Sequence, residues 1–243
     1  ILLTRTEMVA NLTVNAAGMA QIQQPLAHFL ATLPNRPADL RLWTPSAPPS
    51  KEGLVLPSQV NYVGKAANLY DAGYRYHGSV NVITNLARSG WLLEKIRVQG
   101  GAYGASIGFG RASGIVAFTS YRDPNLLNTL DVYDRTPHYL RHLDLSQSEL
   151  TRAIIGAISS FDPYMLPDAR GSVAFHRWLV GDTDERMQQI RDEILGATVH
   201  RIKEFADALE AGMQNARISV LGSADAIAKA SSTAQEVSFT TTK

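Results

Sequence analysis

Between Ser79 and Tyr121 the hydrophobic period changes twice, and this limits the folds open to the chain. Val82, Leu86 and Leu93 recur at helical spacing over 79–96, with Gly90 a weak point. Gly100-Gly101 then offers the left-handed conformation that stops a helix. A strand over 102–109 follows, with Tyr103, Ala105, Ile107 and Phe109 on one face and Gly104, Ser106, Gly108 and Gly110 on the other. After a turn at 110–113 comes a second strand over 114–121. Asp123-Pro124 reads as the next helix start, a capping carboxylate before a proline, with Leu126, Leu130 and Tyr133 as its buried stripe.

The remaining segments repeat this theme. Met8, Ala10, Leu12 and Val14 alternate as in a strand, and Met19, Ile22, Leu26, Phe29 and Leu33 follow as a helix kinked at Pro25. Prolines 34, 37, 45, 48, 49 and 57 surround the polar run Ser50-Lys51-Glu52-Gly53 and mark a linker. "QVNYVGKAANLY" reads as a strand, and Gly73–Gly78 as a turn. Ser146 and Glu149 form a capping box before Leu150, Ile154, Ile158 and Phe161. Asp182 and Glu185 repeat that spacing before Met187, Ile190 and Ile194. A helix from Thr198 to Met213, a strand over 218–221 and a short helix over 223–230 complete the pattern. Adjacent strands alternating with runs of helices predict an α+β fold: a mostly antiparallel sheet with helices packed on one face.

Composition removes several classes of function. The 23 basic and 22 acidic residues leave a net charge of +1 without a block of either sign, so neither nucleic acid nor an anionic membrane is an expected partner. The absence of cysteine excludes disulfides, thiolate metal sites and cysteine nucleophiles. No apolar run approaches the roughly 18 residues of a membrane span. The chain opens on "ILLTRTEMVANLTVN", which reads as the interior of a longer polypeptide.

Two motifs invite chemistry. His138 and His142 share one helical face at the spacing zinc ligands use. Zinc hydrolases place a glutamate between such ligands to activate water, and here Tyr139, Leu140 and Arg141 intervene. "GGAYGASIGFG" lacks the Gly-Lys-Ser/Thr ending of a phosphate loop, and its helix-before-strand order is the reverse of a dinucleotide fingerprint. No Gly-x-Ser-x-Gly nucleophile elbow is present. On local grounds the glycine-rich stretch is a helix stop leading into a strand whose glycine and serine face admits another backbone closely. Strand parity puts Tyr103 with the apolar face unless a bulge intervenes.

"LLEKIRVQGGAYGA" followed by "FTSYRDPNLLNTLDVYD" resembles the C-terminal half of the pitrilysin/insulinase family of zinc metallopeptidases, above all the presequence protease and falcilysin-like group. "NYVGKAANLYDAGYRYHGS", "IIGAISSFDPYMLPDARG" and "IRDEIL" extend the resemblance over Val60–Leu195. It implies residues 1–33 as the tail of a preceding domain, 34–57 as linker and 58–243 as the C-terminal pitrilysin-like domain. In this family two homologous halves enclose a chamber for unfolded peptides. The zinc belongs to an inverted His-x-x-Glu-His motif in the N-terminal half, which this chain lacks. The resemblance therefore implies no metal here, and as partners a peptide substrate and the N-terminal half of the same polypeptide.

The C-terminal half of such enzymes lends an arginine and a tyrosine to the active site. The matching residues are Arg97, for the substrate backbone, and Tyr103, for the scissile carbonyl, with Gly100, Gly101 and Gly104 as substrate-binding positions. A tyrosine hydroxyl aimed at an oxygen that gains charge stabilises the transition state more than the ground state. An arginine fork fixes backbone register. The implied compartment is an organelle matrix or a bacterial cytoplasm, and the isolated chain is expected to be inactive. A non-catalytic scaffold of the same fold, or an unrelated binding module in which the glycine strand merely packs, are the other readings of these residues.

Overall fold

The computed structural model describes residues 5–6, 8–35, 44, 49–233 and 239–242. Its strands are β1 Lys51–Val55, β2 Asn61–Asn68, β3 Gly104–Gly110, β4 Ile115–Asp123, β5 Arg217–Gly222 and β6 Thr240–Thr242. Its helices are α1 Ala16–Thr32, α2 Val80–Leu86, α3 Leu127–Asp134, α4 Thr136–Arg141, α5 Gln147–Phe161, α6 Pro167–Val180, α7 Asp184–Leu195, α8 Val199–Met213 and α9 Ala224–Thr233. A π-helix, Ala87–Val98, continues directly from α2. The chain divides into two units, one from Ile1–Ala47 and Pro163–Met187, the other from Pro48–Asp162 and Gln188–Lys243.

The larger unit is organised by one sheet in the order β3-β4-β2-β5-β1-β6. The first four strands pair antiparallel, whereas β1 runs parallel to both β5 and β6. Burial alternates along the strands as their pleat requires. Val63 and Ala67 of β2, Val116 and Phe118 of β4, and Ile218 and Val220 of β5 are buried against the helices. Phe118 stacks on Tyr133 of α3 with ring centroids 5.0 Å apart, and the Tyr133 hydroxyl donates to the Val63 carbonyl at 3.2 Å. Phe205 of α8 meets Tyr74 and Phe109 edge-on. Burying each such side chain contributes about 1.5–3 kcal/mol, which makes this layer the main source of stability. The result is the expected α+β architecture, mostly antiparallel, with helices on one face.

Several local expectations need correction. Met8–Val14 alternates in sequence but forms no strand, because no strand among the described residues pairs with it. Residues 51–55, inside the expected linker, form β1, where backbone pairing with β5 and β6 outweighs the proline-rich flanks. Prolines 37, 45 and 48 of that linker lie outside the described residues. Asp123 ends β4, and α3 begins four residues later. The α7 cap is Thr183, whose hydroxyl accepts from the Arg186 N–H at 3.2 Å. The helix expected over 79–96 changes to π winding at Ala87.

In the smaller unit Asn15 caps α1 by accepting from the Gly18 N–H at 2.8 Å. α6 starts on Pro167 and ends on Gly181 at φ +72°. None of the described residues of this unit is buried. The apolar stripe of α1 stays open: Met19 is 39%, Ile22 40% and Phe29 58% exposed.

Candidate functional site

The turn between the π-helix and β3 is fixed from both ends. Leu92 and Ile96 anchor the last π-helical turns in the core, while Arg97 faces solvent. Gly101 adopts φ +77°, its N–H donating to the Arg97 carbonyl at 3.0 Å, and the Ala102 N–H donates to the Ile96 carbonyl at 3.1 Å. This left-handed stop leaves no room at Gly100, where a Cβ would press on the Ile96 carbonyl oxygen. The buried Ala102 then leads into Tyr103, whose N–H donates to the Tyr121 carbonyl at 3.1 Å. Arg97 and Tyr103 thus flank one rigid corner.

Tyr103 departs from the expected parity. The strand starts at Gly104, so Tyr103 precedes the pleat and is 67% exposed rather than packed with Ile107. Its ring meets Tyr121 edge-on at 5.7 Å, and Tyr121 meets Tyr62 of β2 in the same way at 5.3 Å. Tyr121 reaches this position through an irregularity in β4. The β2–β4 register shifts between Asn61 and Val63, and Arg122 takes φ +50°. A left-handed arginine costs roughly 1–2 kcal/mol, and bulges of this kind re-aim side chains. Tyr62, Tyr121 and Arg122 were not among the residues singled out from sequence. Their contacts depend on a bulge that carries no periodic signature.

Two more residues secure the corner: Asn125, which sequence reading passed over, and Asp123, which it read only as a helix cap. Asn125 donates from its side-chain amide to the Gly100 carbonyl at 2.6 Å. Asp123 accepts from the Asn125 N–H at 2.9 Å and from the Thr129 hydroxyl at 2.6 Å. The signal was present in "RDPN", but its capping role serves the loop before α3.

On β3, a Cβ added at Gly104 or Gly108 would meet nothing within 4 Å. These glycines have neither a positive φ nor a crowding neighbour among the described residues, although glycine weakens a strand interior. The guanidinium of Arg97 and the hydroxyl of Tyr103 have no hydrogen bond or ion pair among the described residues.

The histidine pair does not fit zinc. Its rings lie 4.1 Å apart, and the His142 Nδ1–H donates to the His138 carbonyl at 2.9 Å. Arg141 between them is held by Asp207 and Glu210 at 2.7 and 2.6 Å, which raise its pKa and direct both carboxylates to the cation. No group of three or more His, Cys, Asp or Glu side chains suited to a metal ion occurs among the described residues.

The fold is that of peptidase M16 domains. It superposes on the "peptidase M16 inactive domain" from Pseudomonas fluorescens with a TM-score of 0.56 at 18% identity, over 84% of this chain and 50% of that one. Residues 51–224 match the PreP C-terminal domain, and the chain belongs to that family of pitrilysin-type sequences. It is 44% identical over 210 residues to presequence protease 1, chloroplastic/mitochondrial, of Arabidopsis thaliana, covering 86% of this chain and 19% of that protein. It is 36% identical over 176 residues to protein HypA of Clostridium perfringens, covering 72% and 18% respectively. The chain therefore spans about a fifth of the length of these curated relatives.

Proposed function

We propose that this chain is the C-terminal, substrate-contacting part of a zinc-dependent peptidase that degrades unfolded peptides. Its zinc would be held by an N-terminal half of the same polypeptide, since the residues here do not fit that ion. The observation that carries the reading is the corner itself: Arg97 and Tyr103 flank a locked turn with their polar ends unengaged. The open glycines of β3 support it, because an extended peptide needs close approach to backbone and leaves no room for a Cβ. Peptide-bond hydrolysis builds negative charge on the scissile carbonyl oxygen. The Tyr103 hydroxyl is suited to donate to that oxygen, and the Arg97 fork to hold neighbouring carbonyls in register.

Residues 1–33 we read as the tail of a preceding domain, a reading supported by the uncovered α1 stripe. An organelle matrix is the compartment we infer, by analogy with the chloroplastic/mitochondrial name of the Arabidopsis relative. No helix among the described residues is long and apolar enough to cross a membrane.

In the full-length polypeptide, Tyr103→Phe should lower kcat on a quenched-fluorescence peptide by about 100- to 1,000-fold, the usual cost of one oxyanion donor. Arg97→Ala should act mainly on KM, as expected for an interaction shared by ground and transition states. Near-normal turnover by both variants would sink this assignment and favour a scaffold role.

A further inference from the structure

Asp123 is completely buried, yet no cation pairs with it among the described residues. A buried carboxylate is costly unless its oxygens are hydrogen-bonded. Here Oδ1 accepts from the Asn125 N–H and Oδ2 from the Thr129 hydroxyl. Both bonds fix the segment that carries the Asn125 side chain. That amide crosses to the Gly100 carbonyl at 2.6 Å, and the Pro124 ring lies 3.7 Å from where a Cβ of Gly101 would be. The buried carboxyl group thus holds, through this segment, the two glycines whose conformation sets the path from Arg97 to Tyr103.

We propose that Asp123 and Asn125 are positioning residues that keep the Arg97–Tyr103 corner in its productive geometry. The proposal rests on the roles given above to those two side chains. Neither positioning group needs to touch substrate: Asn125 acts through Gly100, and Asp123 acts through Asn125. A misplacement of about 1 Å in a catalytic group costs on the order of a hundredfold in rate, so a small relaxation of this corner is enough to be read kinetically. Without the Asn125 amide the Gly100 carbonyl loses its side-chain partner, and the turn is held by the Gly101 and Ala102 N–H bonds without that cross-link.

The test is a double-mutant cycle in the full-length polypeptide. Asn125→Ala should lower kcat by about 10- to 100-fold, with KM changed less than about threefold. In a Tyr103→Phe background the same change should add less than about threefold, since the hydroxyl being positioned is already gone. Hydrogen exchange at the Gly101 and Ala102 amides should speed up in Asn125→Ala while the core strands keep their protection. If Asn125→Ala does not fold, Thr129→Val removes one bond to Asp123 with little change of shape and should give a smaller loss in the same direction. A defective Tyr103→Phe beside a silent or fully additive Asn125→Ala would overturn the positioning role and leave the Tyr103 assignment standing. Normal turnover by Tyr103→Phe and Arg97→Ala would overturn both.

Discussion

Gly114 closes the β3–β4 hairpin at φ +73°, and a Cβ there would land in the ring of Tyr70. That ring is fixed in turn by its hydroxyl, which donates to the Arg111 carbonyl at 2.6 Å. Gly114→Ala combines a left-handed penalty with overpacking and should destabilise the fold by about 3 kcal/mol. Urea titration followed by circular dichroism would read this as a lowered midpoint at unchanged slope. Arg122 carries a similar backbone strain without the steric clash, so the chain tolerates it where it aims Tyr121. These two residues also show what the sequence discloses at this scale. Gly100-Gly101 announces its own stop, because glycine is the usual occupant of a left-handed cap. Arg122 announces nothing, and Tyr121 was missed with it, whereas the parity argument misplaced Tyr103 because β3 begins only at Gly104. Asn125 was equally hidden, since its partner is a backbone carbonyl 25 residues away.

Among the elements, α5 has the most explicit start. The Ser146 hydroxyl accepts from the Glu149 N–H at 3.3 Å, and the Glu149 carboxylate accepts from the Ser146 N–H at 2.9 Å and its hydroxyl at 2.6 Å. Those bonds hold the Glu149 carboxyl below its usual range. Ser146→Ala should cost about 1 kcal/mol of stability by thermal melting at neutral pH. A carboxylate with a depressed folded pKa stabilises above its unfolded pKa and loses that contribution as pH falls through the folded value. The difference between wild type and Ser146→Ala should therefore narrow in acid. This box was legible because both partners lie within one turn. β1 was not, because a five-residue strand among prolines owes its existence to β5, far along the chain. Met8–Val14 is the converse case, an alternating pattern with no strand beside it among the described residues.

For the molecule as a whole, the division of labour sets the boldest expectation. The larger unit supplies a corner and a sheet face, and the residues needed for zinc are not assembled among those described. The 243-residue chain alone, supplied with zinc, should cleave no unfolded peptide in a fluorescence assay. Chelator-sensitive cleavage by the purified chain would refute the proposed split of functions. The likeness to M16 domains could be read from motifs over Val60–Leu195, but the separate grouping of 163–187 with the first 47 residues could not, since α6 carries no signal of where it belongs.

The strand order also bears on how the polypeptide is made. β5 lies between β2 and β1 in the sheet, so Lys51 cannot meet Ile218 until almost the whole domain has left the ribosome. At about 5–20 residues per second this leaves β1 unpaired for roughly 10–30 s. Throughout that interval β2 presents a bare edge of the kind that recruits foreign strands. Until β5 arrives to cover that edge, the order of the strands along the chain sets how long the unfinished sheet stays open.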